Sequence, residues 1–125
     1  MKKINITPEQ MAVYRATAQR RQHEKLQSRV RRQERGLEVA RLGATLLKKK
    51  YGAKRVVLFG SLLDLKKMHE DSDVDIAVWG IEERQYLRAL AELLDLDPNF
   101  SVDLIEAEYA QPRILETVNT VGIEL

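Results

Sequence analysis

Asp73 and Asp75 stand two residues apart in Asp73-Val74-Asp75-Ile76-Ala77-Val78-Trp79, a run that reads as a strand stopped by Gly80. On a strand, residues i and i+2 point to the same face. Two carboxylates so placed repel each other unless a cation lies between them. Hard oxygen donors of this kind suit Mg²⁺ or Mn²⁺. Asp103 sits inside another apolar run, Ser101-Val102-Asp103-Leu104-Ile105, where a carboxylate costs free energy unless something pairs with it. If the two strands are neighbours, three carboxylates converge. That is the arrangement of a two-metal site, with ions ~3.5–4 Å apart, for in-line displacement at phosphorus.

Gly60-Ser61 supplies a second half, directly after the buried strand Arg55-Val56-Val57-Leu58-Phe59. Glycine lets a backbone approach a ligand closely, and N–H groups in such a turn hold phosphate oxygens together with the serine hydroxyl. Lys66 and Lys67 lie in the following loop, placed to neutralise a triphosphate, although lysines in loops are more often simply solvated. The segment is not a Walker A loop, since it lacks the second glycine and the Gly-Lys-Ser/Thr ending. Asp71-Ser72-Asp73-Val74-Asp75 copies the opening of a calcium-binding EF-hand loop, with Glu82 at its twelfth position. Ile76, however, occupies the sixth position, where that loop needs glycine. His23 and His69 are too isolated to form a ligand set and read as surface residues.

The elements that must position these groups alternate. Thr7-Pro8-Glu9-Gln10 carries a helix start, with Thr7 as cap, Pro8 in the first turn and Gln10 completing a capping box. The helix is expected to reach about Arg35 and to break at Gly36. Its apolar face is thin, with Met11, Tyr14, Ala18, Leu26 and Val30, so it extends outward or lies on a partner. Tyr14 reads as a packing residue. A second helix follows, with Leu37, Ala40, Ala44, Leu47 and Tyr51 at helical spacing, cations in its last turn and Gly52 past its end. After the first strand, residues 62–72 are a polar connection with one helical turn near its start. A helix over 82–94 presents Tyr86, Leu87, Leu90 and Leu94. Residues 95–99 form a turn, 101–105 a strand and 110–118 a last short helix. The pattern is that of an α/β (α+β) domain.

The chain has 125 residues, one domain's worth, and its 44% hydrophobic and 32% charged composition is that of an ordinary soluble protein. Without cysteine it can form neither disulfides nor thiolate metal sites. No segment approaches the ~20 apolar residues of a membrane span, and Met1-Lys2-Lys3-Ile4-Asn5-Ile6 has no apolar run behind its lysines. The expectation is a cytoplasmic protein. Its net charge of +2 conceals a split: residues 1–50 hold 14 Lys/Arg against 4 Asp/Glu, and residues 51–125 hold 7 against 15. A basic arm joined to an acidic domain points to two tasks, the arm meeting an acidic partner or nucleic acid and the acidic part holding cations.

Leu58-Phe59-Gly60-Ser61 followed by Ser72-Asp73-Val74-Asp75-Ile76 resembles the signature of the DNA polymerase beta-like nucleotidyltransferase superfamily. The compact size is similar to its minimal nucleotidyltransferase branch, over roughly residues 37–118. The resemblance implies a small mixed sheet flanked by helices, preceded here by a long helical extension. That divides the chain into an extension over 1–36 and a nucleotidyltransferase domain over 37–125. It further implies that Gly60 and Ser61 bind the triphosphate of ATP, and that Asp73 and Asp75 bind Mg²⁺ or Mn²⁺. Asp103 matches the third carboxylate, a metal ligand or a base toward the acceptor hydroxyl. One departure is plain: Leu63-Asp64-Leu65 replaces the Ala-Arg-Gly stretch that many members carry.

Many free-standing minimal nucleotidyltransferases resemble antitoxins of HEPN-domain toxins, ribonucleases silenced when a tyrosine is adenylylated. The resemblance therefore implies a HEPN partner and AMP transfer to it. Three other functions are compatible with the residues. One is the same chemistry on a small molecule such as an aminoglycoside, for which a single short domain leaves little pocket. A second is an antitoxin that inhibits by binding alone. A third is nucleic-acid binding through the basic arm, where aromatic residues are sparse.

Overall fold

The computed structural model describes residues 5–125, so the Met1–Ile4 part of the leader expectation lies outside the described residues. Helix α1 spans Pro8–Tyr51 without interruption. It opens on the expected capping box: the Gln10 N–H donates to Thr7 Oγ1 at 3.1 Å and the Thr7 N–H to Gln10 Oε1 at 3.0 Å. It closes on Gly52 in the left-handed region after Lys48, Lys49 and Lys50. The break expected at Gly36 does not occur. Gly36 and Gly43 are buried on the packing side of α1, where a Cβ would stand 2.7 Å from Leu62 Cδ2 and 2.9 Å from Leu93 Cδ2. Each costs the helix ~1 kcal/mol against alanine, and close approach to a leucine offsets it. The glycines therefore mark packing, not punctuation.

The remaining elements are strand β1 (Arg55–Phe59), strand β2 (Val74–Trp79), helix α2 (Tyr86–Leu94), strand β3 (Val102–Glu106), helix α3 (Pro112–Val121) and strand β4 (Ile123–Glu124). Short 3₁₀ turns lie at Ser61–Leu63, Glu83–Gln85 and Ala107–Tyr109. The first is the helical turn expected in the polar connection, and the second takes the start of the expected 82–94 helix. The helix α2 buries Ala89 and Leu93 with Tyr86 and Leu90 half-buried, so its face is rotated from the one expected, and Leu87 and Leu94 are exposed.

The sheet is mixed, in the order β3-β2-β1-β4. β2 lies parallel to β3, while β1 is antiparallel to both β2 and β4. β4 escaped the sequence reading because two residues carry no periodicity. One face of the sheet bears Val56, Leu58, Ile76, Val78 and Leu104, which form the main core with Val39, Ala40, Ala44 and Leu47 of α1 and Leu93 of α2. The other face bears Val57, Phe59 and Ala77, covered by Val118 and Ile114 of α3. Strand periodicity places Asp75 and Asp103 on this second, more thinly covered face.

The first part of α1 has no such cover. Residues 8–27 are exposed, with Thr17 alone half-buried, and Tyr14 is 61% exposed where packing was expected. A polar helix of this kind cannot bury itself. Among the described residues no helix is long and apolar enough to cross a membrane.

Candidate active site

Gly60 ends β1 with φ +88° and ψ −167°, a region that glycine alone occupies without strain. A Cβ there would stand 2.0 Å from Asp75 Oδ2. The strap therefore passes directly over a carboxylate of the neighbouring strand, where Phe59 pairs with Asp75. Ser61 follows, and its hydroxyl donates to Ser72 Oγ at 3.3 Å. Ser72 is buried and also accepts from the His69 N–H at 2.9 Å. It precedes Asp73, so the Gly60–Ser61 strap and the carboxylate segment are joined through two serine hydroxyls.

Asp75 and Asp103 are direct partners in the parallel pairing of β2 with β3. Neighbouring strands lie ~4.8 Å apart, so the two side chains rise side by side from one face. Asp73 stands just ahead of β2 rather than within it, and it is exposed. Asp103 is exposed as well. The burial cost expected for it does not arise, because its end of the sheet is left open. Asp75 is half-buried, and its carboxyl is pushed up to about 6 by burial first, then by the charges of Asp103 and Asp73. Like charges crowding a half-buried carboxylate are the condition a divalent cation relieves.

The donor set fits such a cation. Among the described residues no three carboxylates or histidines close into a complete ligand set. Mg²⁺ ordinarily takes one or two carboxylates and leaves its other positions to phosphate oxygens and water. An open row of Asp73, Asp75 and Asp103 beside the Gly60–Ser61 strap is compatible with that habit.

A cavity of 460 Å³ adjoins the strap, lined by Gly60, Ser61, Leu63, Asp64, Lys67, Thr117 and Val121. Lys67 reaches it. Lys66 does not line it, and its N–H instead caps Asp64 at 2.9 Å. A larger hollow of 540 Å³ lies between α1 and the Met68–Asp71 loop, and none of the three carboxylates lines it. His69 lines that hollow and His23 is exposed, so the two form no joint site. Ser72, Thr117 and Val121 went unnoticed as site residues in the sequence. Ser72 had a signal in standing beside Asp73, whereas Thr117 and Val121 reach the cavity only through the packing of α3.

Residues 44–125 match the family model described as polymerase beta, nucleotidyltransferase. The chain belongs to that family. Two solved structures are similar to it. One is a chain of a mutant MntA–HpeT toxin–antitoxin complex, 22% identical, with a TM-score of 0.54, covering 65% of this chain and 66% of that one. The other is a chain of a toxin–antitoxin structure with AMP-PNP, 25% identical, with a TM-score of 0.55, covering 65% of this chain and 67% of that one. The family chain thus spans about two thirds of each neighbour. No curated protein matches it. Its mixed four-stranded sheet with flanking helices is the nucleotidyltransferase fold, as the minimal nucleotidyltransferase resemblance implied. The long α1 precedes the matched residues for most of its length.

Proposed function

We propose that this nucleotidyltransferase transfers AMP from ATP to a hydroxyl of a HEPN-domain toxin and thereby acts as its antitoxin in the cytoplasm. The observation that carries the chemistry is the seating of the Gly60 strap against Asp75, with Asp103 beside it in register. What supports a toxin as partner is the similarity to a chain of a toxin–antitoxin structure with AMP-PNP, an ATP analogue; that the toxin has a HEPN domain follows from the minimal nucleotidyltransferase resemblance.

In this reading the Gly60–Ser61 backbone and the Ser61 hydroxyl hold phosphate oxygens of ATP, and Lys67 offsets their charge. Asp73, Asp75 and Asp103 would hold Mg²⁺ or Mn²⁺, which would neutralise developing charge on the phosphoryl oxygens. Asp103, the most open of the strand carboxylates, faces the acceptor and takes the proton of its hydroxyl. The acceptor oxygen bonds to the α-phosphorus as the bond to the bridging oxygen breaks, and pyrophosphate leaves. Rate comes from positioning and charge neutralisation. We place the catalytic unit at residues 37–125 and the basic extension at 1–36.

Asp73→Asn and Asp75→Asn test the assignment. Each is expected to abolish transfer of α-labelled AMP to a HEPN partner while the circular dichroism spectrum stays native. Full activity in either variant would remove the carboxylates from the mechanism. Inhibition by binding alone is the second reading, favoured by the exposed Pro8–Gln27 segment. It predicts a tight, unmodified complex that Asp73→Asn leaves intact.

A further inference from the structure

The middle of α1 reaches both halves of the candidate site. Arg32 Nη2 donates to the Ser72 carbonyl at 3.0 Å and to the Asn99 carbonyl at 3.2 Å. Its guanidinium lies over the Phe100 ring, 4.1 Å from the centroid. Ser72 immediately precedes Asp73, and Asn99-Phe100 leads into the strand of Asp103. One guanidinium therefore ties the entries of both carboxylate-bearing segments to one helix. Gln33, the next residue, turns to the other half: its Nε2 donates to the Leu62 carbonyl at 2.9 Å, one residue past Ser61. Gly36, one turn further along α1, leaves room for the Leu62 side chain.

These contacts matter most for Asp73. The β2–β3 ladder fixes Asp75 against Asp103, but Asp73 lies outside the ladder. Its placement follows from how Ser72 is held, by the Ser72 N–H donating to the His69 carbonyl at 3.1 Å, by the serine hydroxyl contacts, and by Arg32 on its carbonyl. Arg32 and Gln33 both lie ahead of the family match, which begins at residue 44.

We propose that Arg32 and Gln33 are positioning residues of the transfer site. Arg32 sets Asp73 relative to Asp103, and Gln33 sets the Gly60–Ser61 strap. The inference rests on the proposed nucleotidyl transfer at these residues. It makes the midsection of α1 part of the catalytic apparatus, and it assigns two adjacent side chains to opposite halves: cation and triphosphate. Groups that orient metal ligands in this indirect way are worth ~10–100-fold in metal affinity or activity.

The test uses the full chain as wild type, Arg32→Ala, Arg32→Lys, Gln33→Ala and, as a control, Arg31→Ala, whose side chain is exposed on the same helix. Mn²⁺ binding is measured by calorimetry without nucleotide, and kcat and KM for ATP in the α-label assay. Arg32→Ala is expected to weaken Mn²⁺ binding and lower kcat by ~10-fold or more, leaving KM for ATP within ~2-fold. Arg32→Lys, which keeps a donor for the two carbonyls, recovers part of the loss and serves if Arg32→Ala does not fold. Gln33→Ala is expected to raise KM for ATP with Mn²⁺ binding unchanged, and Arg31→Ala to match wild type. Wild-type Mn²⁺ affinity in both Arg32 variants would overturn the proposal. So would equal shifts of every parameter in the Arg32 and Gln33 variants, in step with lost thermal stability. Wild-type protein that binds Mn²⁺ but transfers no AMP would overturn the proposed function, while the Mn²⁺ comparison still decides the role of Arg32. Wild-type protein that binds no Mn²⁺ even when AMP-PNP is added would overturn both.

Discussion

At Gly60 the backbone sits at a positive φ and the absent side chain leaves room for the Asp75 carboxylate. Gly60→Ala therefore meets two obstacles, a strained backbone costing ~1–3 kcal/mol and a Cβ in the place of Oδ2. The expected result is loss of transfer with a lowered Tm, checked by a melt beside the label assay; an active Gly60→Ala protein would contradict the strap geometry. Asp75 makes the opposite kind of prediction. Its carboxyl is raised from an ordinary 3.8 to about 6, so between those values the folded protein binds more protons than the unfolded one. Stability then falls as pH rises through this window. Asp75→Asn should stabilise the metal-free protein at pH 8, by ~1–2 kcal/mol once solvent screening of a half-exposed group is discounted. The gain should fade near pH 4, with transfer abolished throughout. A Tm lower than wild type at pH 8 would show that the carboxylate is not under electrostatic load. The glycine, the serine and the carboxylate pair were legible because their spacing is local. Asp103 was legible as a residue, but its open setting was not, since that depends on where α3 stops covering the sheet.

Among the elements, α1 diverged most from its reading. Gly36 looks like a helix terminator in isolation, yet its neighbour across the interface is Leu62, 26 residues away in sequence. Packing decided the matter, and no local propensity could have foretold it. Gly36→Ala should raise helix propensity and still destabilise, because its Cβ would stand 2.7 Å from Leu62; a higher Tm in the variant would count against this packing. The turn before β3 is pinned to the same helix. Asp97 accepts from the Asn99 N–H at 2.8 Å and from Arg35 Nε at 2.8 Å, and the two contacts hold its carboxyl below the ordinary range, Asn99 first. A depressed carboxylate contributes stability at neutral pH that is lost as pH falls through its folded value. Asp97→Asn should melt below wild type at pH 7, with the gap closing as pH drops below the usual carboxylate range. Parallel melting curves at every pH would refute the ion pair's contribution. Strands β1 to β3 were legible from their apolar runs, whereas β4 and the rotated face of α2 emerged only through tertiary contacts.

On the scale of the whole molecule, the chain joins a packed nucleotidyltransferase unit to a helix that outruns it. The C-terminal end of α1 lies beside the start of β1, where Tyr51 Oη donates to Glu92 and the Ala53 N–H bonds Leu47. Its middle holds the segments that lead into and out of the site, with Arg29, Arg32 and Gln33 donating to the Leu65, Ser72 and Leu62 carbonyls. The twenty residues 8–27, all exposed but Thr17, continue for ~30 Å beyond. The charge split read from the sequence follows this division, since the basic half is mostly the helix. Deleting residues 1–27 should leave Tm and ATP binding close to wild type, because residues 5–27 bury almost nothing. Deleting to residue 36 should damage both, because Arg32, Gln33 and Arg35 go with it. Equal Tm values for the two truncations would show that the midsection of α1 is dispensable.

The central claim, nucleotidyl rather than phosphoryl transfer, is tested most directly by where the label goes. The full chain is mixed with Mg²⁺, a HEPN-domain partner and ATP labelled at either the α- or the γ-phosphate. The α-label should appear on the partner, the γ-label should leave as pyrophosphate, and Asp73→Asn should transfer neither. Label reaching the partner from the γ-position, or from neither position while the two proteins form a stable complex, would contradict the account.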